Sequence, residues 1–415
     1  MPPMFDAFSG RLEAHELETF LATGTPPTGA LPNLTRIQQA GSRLRHNLSG
    51  AHPHQWQDAE QQRIVQRLSD TFTLSELGSQ QDIEADFQHT FFTVSGQHSM
   101  TTSPHRLLTG AASLSIDLVA TYLAKRGMSA GLIRPCIDAQ AAILRSRGVR
   151  LIAIDETMLS GDRFGDTLRN LLERGDRPDA LFLTLPNNPT GFTLSRSDFE
   201  LLARACKTAG TLLIIDWAFR FYETYDAWDQ YAVLHRTGVD YLCIEDTGKT
   251  WPTLGLKCSA LVTSPHLFPD MRELHNNIML EVSPFVLRLL TAYLRDSHER
   301  GLDTTVRELI RINRGELQKA LYGSVLAPAA TDRAVSVEWV RICCADLSAL
   351  DLVAMAEEIG IAILPGNHFY WDDHHAGSSY VRFALARDCA DFALACRLLR
   401  RLIDGRPELR MAGAA

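Results

Sequence analysis

The 415-residue chain carries 41 Lys and Arg against 49 Asp and Glu, a formal charge of −8, with 45% apolar and 22% charged residues. That balance is ordinary for a water-soluble globular protein and gives enough core to enclose a ligand. Without a long basic run or an apolar stretch of about 18 residues, it speaks against a general nucleic-acid binder and against a membrane-spanning protein. The eight cysteines form no C-x-x-C pair and the first residues show no signal-peptide pattern, so reduced, buried thiols in a cytoplasmic protein are expected.

Residues 1–45 read as an N-terminal arm, with "RLEAHELETFLATG" as an amphipathic helix and "TPPTGALP" as a turn-rich linker. From about residue 105 strands and helices alternate. "TGAASLSIDLVATYLAKRG" predicts a helix stopped at Gly127, "AGLIRP" a strand, "AQAAILRSRG" a helix and "VRLIAI" a strand. "DALFLTLP", "TLLIIDW" and "DYLCIED" predict buried strands, and "SDFELLARACKTAG" a helix with Ser197 and Glu200 as a capping box. This rhythm implies an α/β fold with a mainly parallel sheet flanked by helices, where ligands gather beyond the carboxyl ends of the strands. Two long helices fill 284–323. The remainder mixes strands ("VSVEWVRICC", "SSYVRFALA") with helices, which predicts a large domain over 46–323 and a smaller α+β domain over 324–415.

Four motifs follow the predicted strands or open a helix: "TGAAS" at 109–113, "LPNNPTG" at 185–191, "IIDWAFRFY" at 214–222 and "IEDTGK" at 244–249. In this order they resemble the fold-type I pyridoxal-phosphate enzymes of the aminotransferase class I/II superfamily. The resemblance implies pyridoxal 5'-phosphate as cofactor and assigns roles. Lys249 is the amine that condenses with the cofactor aldehyde. Asp216 keeps the pyridine nitrogen protonated. Asn188 donates toward the phenolic oxygen. The helix start at Gly110, Ala111 and Ala112 receives the phosphate, with a hydroxyl from Ser113 or Thr247. Lys257 stands where the superfamily has a phosphate-binding cation. Arg382, inside an apolar strand, needs a partner when buried: the substrate α-carboxylate, by resemblance, or an internal acid.

"FQHTFFTVSGQHSM", "LSIDLVATYL", "DQYAVL", "IEDTGKTWPTLGLK" and "EVSPFVLRLL" narrow the likeness. Over about residues 45–405 the chain is similar to the pyridoxal-phosphate-dependent L-arginine oxidases and hydroxylases of natural-product pathways. That implies an enzyme using O2 without flavin or metal to turn a cationic amino acid into a 2-keto acid, with His52 as a catalytic histidine. An ordinary aminotransferase, or a lyase or cyclase, is the alternative, and a homodimer is expected by analogy. Four positions depart from the pattern around the ring and substrate: Ile137 replaces a stacking aromatic, Trp217 a smaller residue, Ala218 a serine, and Gln38 an acid. Asp246 is retained as a group for a cationic side-chain end. Glu245 has no assigned role. The H-x-H at His52 and His54 lacks a third ligand, and "WDDHH" at 371–375 reads as a polar loop rather than a metal site.

Overall fold

The computed structural model describes residues 33–161, 164–173, 175–223, 228–329 and 335–411. The arm helix and linker expected within residues 11–32 lie outside the described residues. The chain is first seen as helix α1 (Leu34–Gly41), capped by Asn33, whose side chain accepts the Arg36 N–H. Sequence reading left this helix out. Its apolar residues Leu34 and Ile37 are two positions of one buried stripe, packed on Trp339, Leu364 and Phe369.

Seven strands form the main sheet: β1 (Arg106–Thr109), β2 (Ala130–Arg134), β3 (Leu151–Asp155), β4 (Ala180–Thr184), β5 (Leu212–Asp216), β6 (Tyr241–Asp246) and β7 (Ser259–Thr263). Their order is β1–β7–β6–β5–β4–β2–β3, and only β7 runs antiparallel to its neighbours. Strands β4, β5 and β6 are buried at every position, as expected where helices cover both faces of a parallel sheet. Helices α2 (Ala112–Lys125), α3 (Asp138–Ser146) and α4 (Arg196–Ala209) are among the crossovers. Helix α2 ends as predicted, with Gly127 at φ 63° and the Met128 N–H returning to the Leu123 carbonyl.

The cap of α4 is corrected by two residues. Ser195, not Ser197, accepts the Asp198 N–H. Glu200 points outward to Arg204 and Arg236 instead of back to the helix start. Two serines at neighbouring positions offer the same local signal, and the chain enters the helix at the earlier one.

Helix α5 (Pro284–Arg300) belongs to the core of the large sheet. Helix α6 (Glu308–Leu321) buries Ile310, Leu317 and Leu321 in a second core. That core is shared with strands β8 (Leu326–Pro328), β9 (Val337–Ile342) and β11 (Tyr380–Ala384), which with β10 (Leu364–Pro365) form an antiparallel sheet in the order β10–β11–β9–β8. Helices α7 (Ala349–Glu358) and α8 (Cys389–Gly405) cover it. Leu48, Ala51, Ala218 and Phe219 also enter this second core, so it reaches the carboxyl end of β5. Among the described residues no helix is long and apolar enough to cross a membrane.

Candidate active site

A cavity of about 230 Å³ opens at the carboxyl ends of β4, β5 and β6. It is lined by Lys249, Lys257, Asp216, Asp246, Asn188 and Arg382, joined by His52, Ile137, Ala218 and Gln38. The start of α2 contributes Ala111, Ala112 and Ser113.

Strand geometry explains which residues meet there. Asp216 and Thr184 are register partners on β5 and β4, so their side chains leave the sheet on one face. Gln140, fully buried on α3, donates to both, at 2.8 Å to Asp216 and 2.9 Å to Thr184. The other Asp216 oxygen accepts the Ala218 N–H at 2.9 Å. Burial nevertheless pushes the Asp216 carboxyl up to about 6, with the Ala218 and Gln140 bonds opposing the shift. Asp246 lies two residues beyond Ile244, the register partner of Asp216, and shares that face. It is 3% exposed and its Oδ1 has no hydrogen-bond partner among the described residues. Burial raises its pKa, while Lys249 and Lys257 pull it down.

The alternation also corrects the expectation for Trp217. Following Asp216 directly, it leaves the sheet on the opposite face and does not line the cavity. It lies under the guanidinium of Arg220, 4.1 Å from the ring centre. Arg220 forks onto Glu245 with a shortest contact of 2.6 Å, and Gln230 and Tyr231 complete the cluster. Glu245 thus gains a structural role that sequence reading did not assign.

Lys249 is held by its backbone, whose carbonyl accepts the Tyr222 hydroxyl at 2.6 Å. Its Nζ is 3.0 Å from His52 Nε2. Burial lowers the amine to about 8 from an ordinary 10.5, offset in part by Asp246 and reinforced by Lys257 and Arg382. The Lys249 charge and burial bring His52 down to about 3, so its ring is neutral at neutral pH. The residue before the lysine is crowded. A Cβ at Gly248 would lie 2.8 Å from Lys257 Cδ and 3.1 Å from Asp246 Oδ2, so glycine lets Lys257 fold over the turn.

Helix α2 begins without a side-chain cap and without an acid in its first turn. Hydroxyls of Thr109, Ser115 and Ser259 bond in series at 2.9 Å each, pinning the helix start to β1 and β7. Its first N–H groups are therefore positioned for an anion. Gly110 and Thr247 do not line the cavity. The Thr247 hydroxyl exchanges hydrogen bonds with the Cys258 backbone, at 3.0 Å as donor and 2.9 Å as acceptor, which commits it to the turn into β7.

Arg382 on β11 is fully buried. It donates to Asn188 Oδ1 at 3.2 Å and to the Ser49 carbonyl, and lies 5.3 Å from the Phe369 ring centre, while its Nε has no partner. No carboxylate pairs with it among the described residues, and burial lowers its pKa. The internal-acid alternative is therefore absent from the described residues. Sequence reading also missed Arg387, which donates to the carbonyls of Asn47, Gly50, His52 and Ala386 at 2.6–2.9 Å. It ties the segment bearing His52 to the second core. The signal was a second arginine five residues after Arg382, in an equally apolar stretch. In "WDDHH", Trp371 is buried with its indole N–H on the Ile133 carbonyl, and Asp372 pairs with Arg134 at 2.5 Å.

A sequence profile described as aminotransferase class I and II matches residues 81–397. The chain belongs to this family. Its fold is that of the fold-type I pyridoxal-phosphate enzymes, and its cofactor is pyridoxal 5'-phosphate. The cavity suits that group, with a desolvated amine, a buried carboxylate at a strand end, an uncapped helix start and a second lysine beside it. The solved structure of MppP soaked with the product 2-ketoarginine superposes with a TM-score of 0.78 at 29% identity, covering 86% of this chain and 99% of that one. An aminotransferase from Mycobacterium tuberculosis gives a TM-score of 0.72 at 18% identity, over 91% of this chain and 98% of that one, and shows the fold alone. Human kynurenine–oxoglutarate transaminase 1 is 30% identical over 24% of this chain and 24% of its own length. LL-diaminopimelate aminotransferase of Nitratidesulfovibrio vulgaris is 25% identical over 51% of this chain and 54% of its own length. Both matches span less than two thirds of those relatives.

Proposed function

We propose that this enzyme oxidises an L-amino acid with a cationic, arginine-like side chain, with O2 and water giving a 2-keto acid, ammonia and hydrogen peroxide, or a hydroxylated derivative of that acid. The observation that carries the reading is the buried Asp246, whose Oδ1 is unpartnered in the cavity beside Lys249. A carboxylate desolvated and left short of a donor calls for a ligand that brings one. The likeness to MppP over 99% of that chain supports the substrate type.

When bound, pyridoxal phosphate supplies an electron sink for charge that develops at the substrate Cα. The chain's own groups do the rest. Lys257 and the N–H groups of Ala111, Ala112 and Ser113 hold the phosphate. Asp216, oriented by Gln140, holds the proton on the pyridine nitrogen, and Asn188 donates toward the phenolic oxygen. Arg382 turns its unfilled donors to the substrate carboxylate. Lys249 carries the cofactor and then, as a free amine with a lowered pKa, takes the α-proton at Nζ. The neutral His52 ring, its Nε2 3.0 Å away, is within hydrogen-bond reach of that nitrogen and orients it. Ile137 and Ala218 line the cavity without the ring-stacking and hydroxyl contacts of the resembling family.

An aminotransferase is the second reading, favoured by the family description and by the curated relatives. An oxygen electrode separates the two. With arginine and no keto acid, O2 uptake with matching ammonia release is expected. Turnover that requires a keto acid and ignores O2 would establish the aminotransferase instead.

A further inference from the structure

One carboxylate that lines the cavity has no part in the roles given above. The cavity holds three cationic side chains, Lys249, Lys257 and Arg382, and three carboxylates, Asp138, Asp216 and Asp246. On the roles given above, the cofactor phosphate engages Lys257, the pyridine nitrogen engages Asp216, and the substrate carboxylate engages Arg382. Asp138 and Asp246 are then the two carboxylates of the cavity with no assigned partner on the cofactor or the substrate carboxylate.

Asp138 is the first residue of α3, directly after Ile137. Its Oδ2 accepts the Leu34 N–H at 2.8 Å, which joins it to the start of α1. Gln38 is four residues on from Leu34, one turn or about 5–6 Å along the same helix face, and lines the same cavity. The resembling family has an acid where Gln38 stands. Here the negative charge next to that turn comes from α3 instead of α1. Burial raises the Asp138 pKa, opposed by the Leu34 and Ala139 N–H bonds and by the Arg382 charge.

We infer that Asp138 is a specificity-determining residue, the second carboxylate of a side-chain subsite that it forms with Asp246 for a cationic amino acid. The inference rests on the proposed amino-acid substrate and adds the residue that selects its charge. It also makes α1 part of the subsite, since the same carboxylate holds that helix by Leu34.

The test compares arginine with citrulline, its neutral isostere, on the pyridoxal-phosphate-loaded enzyme. Affinities are read from the cofactor absorbance during titration, and KM and kcat from steady state. Asp138→Asn keeps an acceptor for the Leu34 N–H and removes only the charge. It should weaken arginine binding and raise its KM by about 10- to 100-fold, with kcat within about threefold and citrulline affinity unchanged. Gln38→Glu in the Asp138→Asn background should restore most of the arginine preference, an outcome that a purely structural Asp138 would not produce. If Asp138→Asn weakens arginine and citrulline equally, or leaves arginine unchanged while Asp246→Asn abolishes its preference, the inference is overturned and the cationic substrate stands. If the unsubstituted enzyme binds citrulline as well as arginine, both fall.

Discussion

Glu245 and Asp246 are adjacent carboxylates, both buried, yet the end of β6 sends them into opposite regions. On one face Glu245 meets Arg220, Gln230 and Tyr231, with Trp217 beneath the guanidinium, and its two carboxylate oxygens are engaged. On the other face Asp246 keeps an unpartnered oxygen, and Arg382 across the cavity keeps an unpartnered Nε. A buried charge whose bonds are all made within the chain is part of the frame. One whose bonds are left open inside a cavity is waiting for a ligand. The difference separates structure from function more sharply than burial or residue type.

Substitutions that break the contrast should have effects of different kinds. The largest is on the open side. Lys249→Ala removes the amine that holds the cofactor and moves the proton, and turnover should fall by at least about 10³-fold, measured under saturating substrate and cofactor. On the closed side, Arg220→Met leaves Glu245 buried and unpaired. It should cost about 3–5 kcal/mol in denaturant unfolding, with normal substrate affinity in the fraction that remains folded. Replacing Arg220 and Glu245 together by Met and Leu should cost less than the sum of the two single changes.

Asp216 sharpens the comparison through pH. Its carboxyl sits at about 6 in the folded, cofactor-free protein against an ordinary 3.8. The folded state therefore binds a proton more tightly than the unfolded chain. The stabilising contribution is fully present below pH 3.8 and is lost as pH rises through about 6. Asp216→Asn should remove that decline, so the gap between variant and parent stability should grow in favour of the variant by up to about 3 kcal/mol between pH 4 and 7. With pyridoxal phosphate bound, the order should reverse, since the carboxylate then meets the pyridine nitrogen. The smallest effect expected is that of Arg387→Met. Loss of its carbonyl contacts should loosen residues 47–52, read as faster amide exchange there, and lower kcat by about tenfold through His52.

The strand ends were legible in the sequence. Lys249, Asp216 and Asn188 follow apolar runs that had to be strands, and Arg382 interrupts another. The period of two was legible as well, and it already turns Trp217 away from Asp216 and Glu245 away from Asp246. Reading Trp217 as a ring neighbour overlooked that alternation. The partners brought in from distant segments were not legible. Gln140 reaches Asp216 across 76 residues, and Arg387 reaches His52 across 335. Neither distance leaves a local pattern. Asp138 reads locally as a helix-opening acid, and its bond to Leu34 at the start of α1 spans 104 residues. Thr247 carries the right hydroxyl at the right offset, but the turn into β7 uses it.

The most direct measurement is the unfolding free energy of Arg382→Met beside its affinity for arginine. Removing a buried guanidinium that lacks an internal acid relieves its desolvation. Stability should change by less than about 1 kcal/mol while arginine binding falls by about 100-fold or more. A loss of about 3–5 kcal/mol with unchanged arginine affinity would place Arg382 in the frame beside Arg220 and contradict the account.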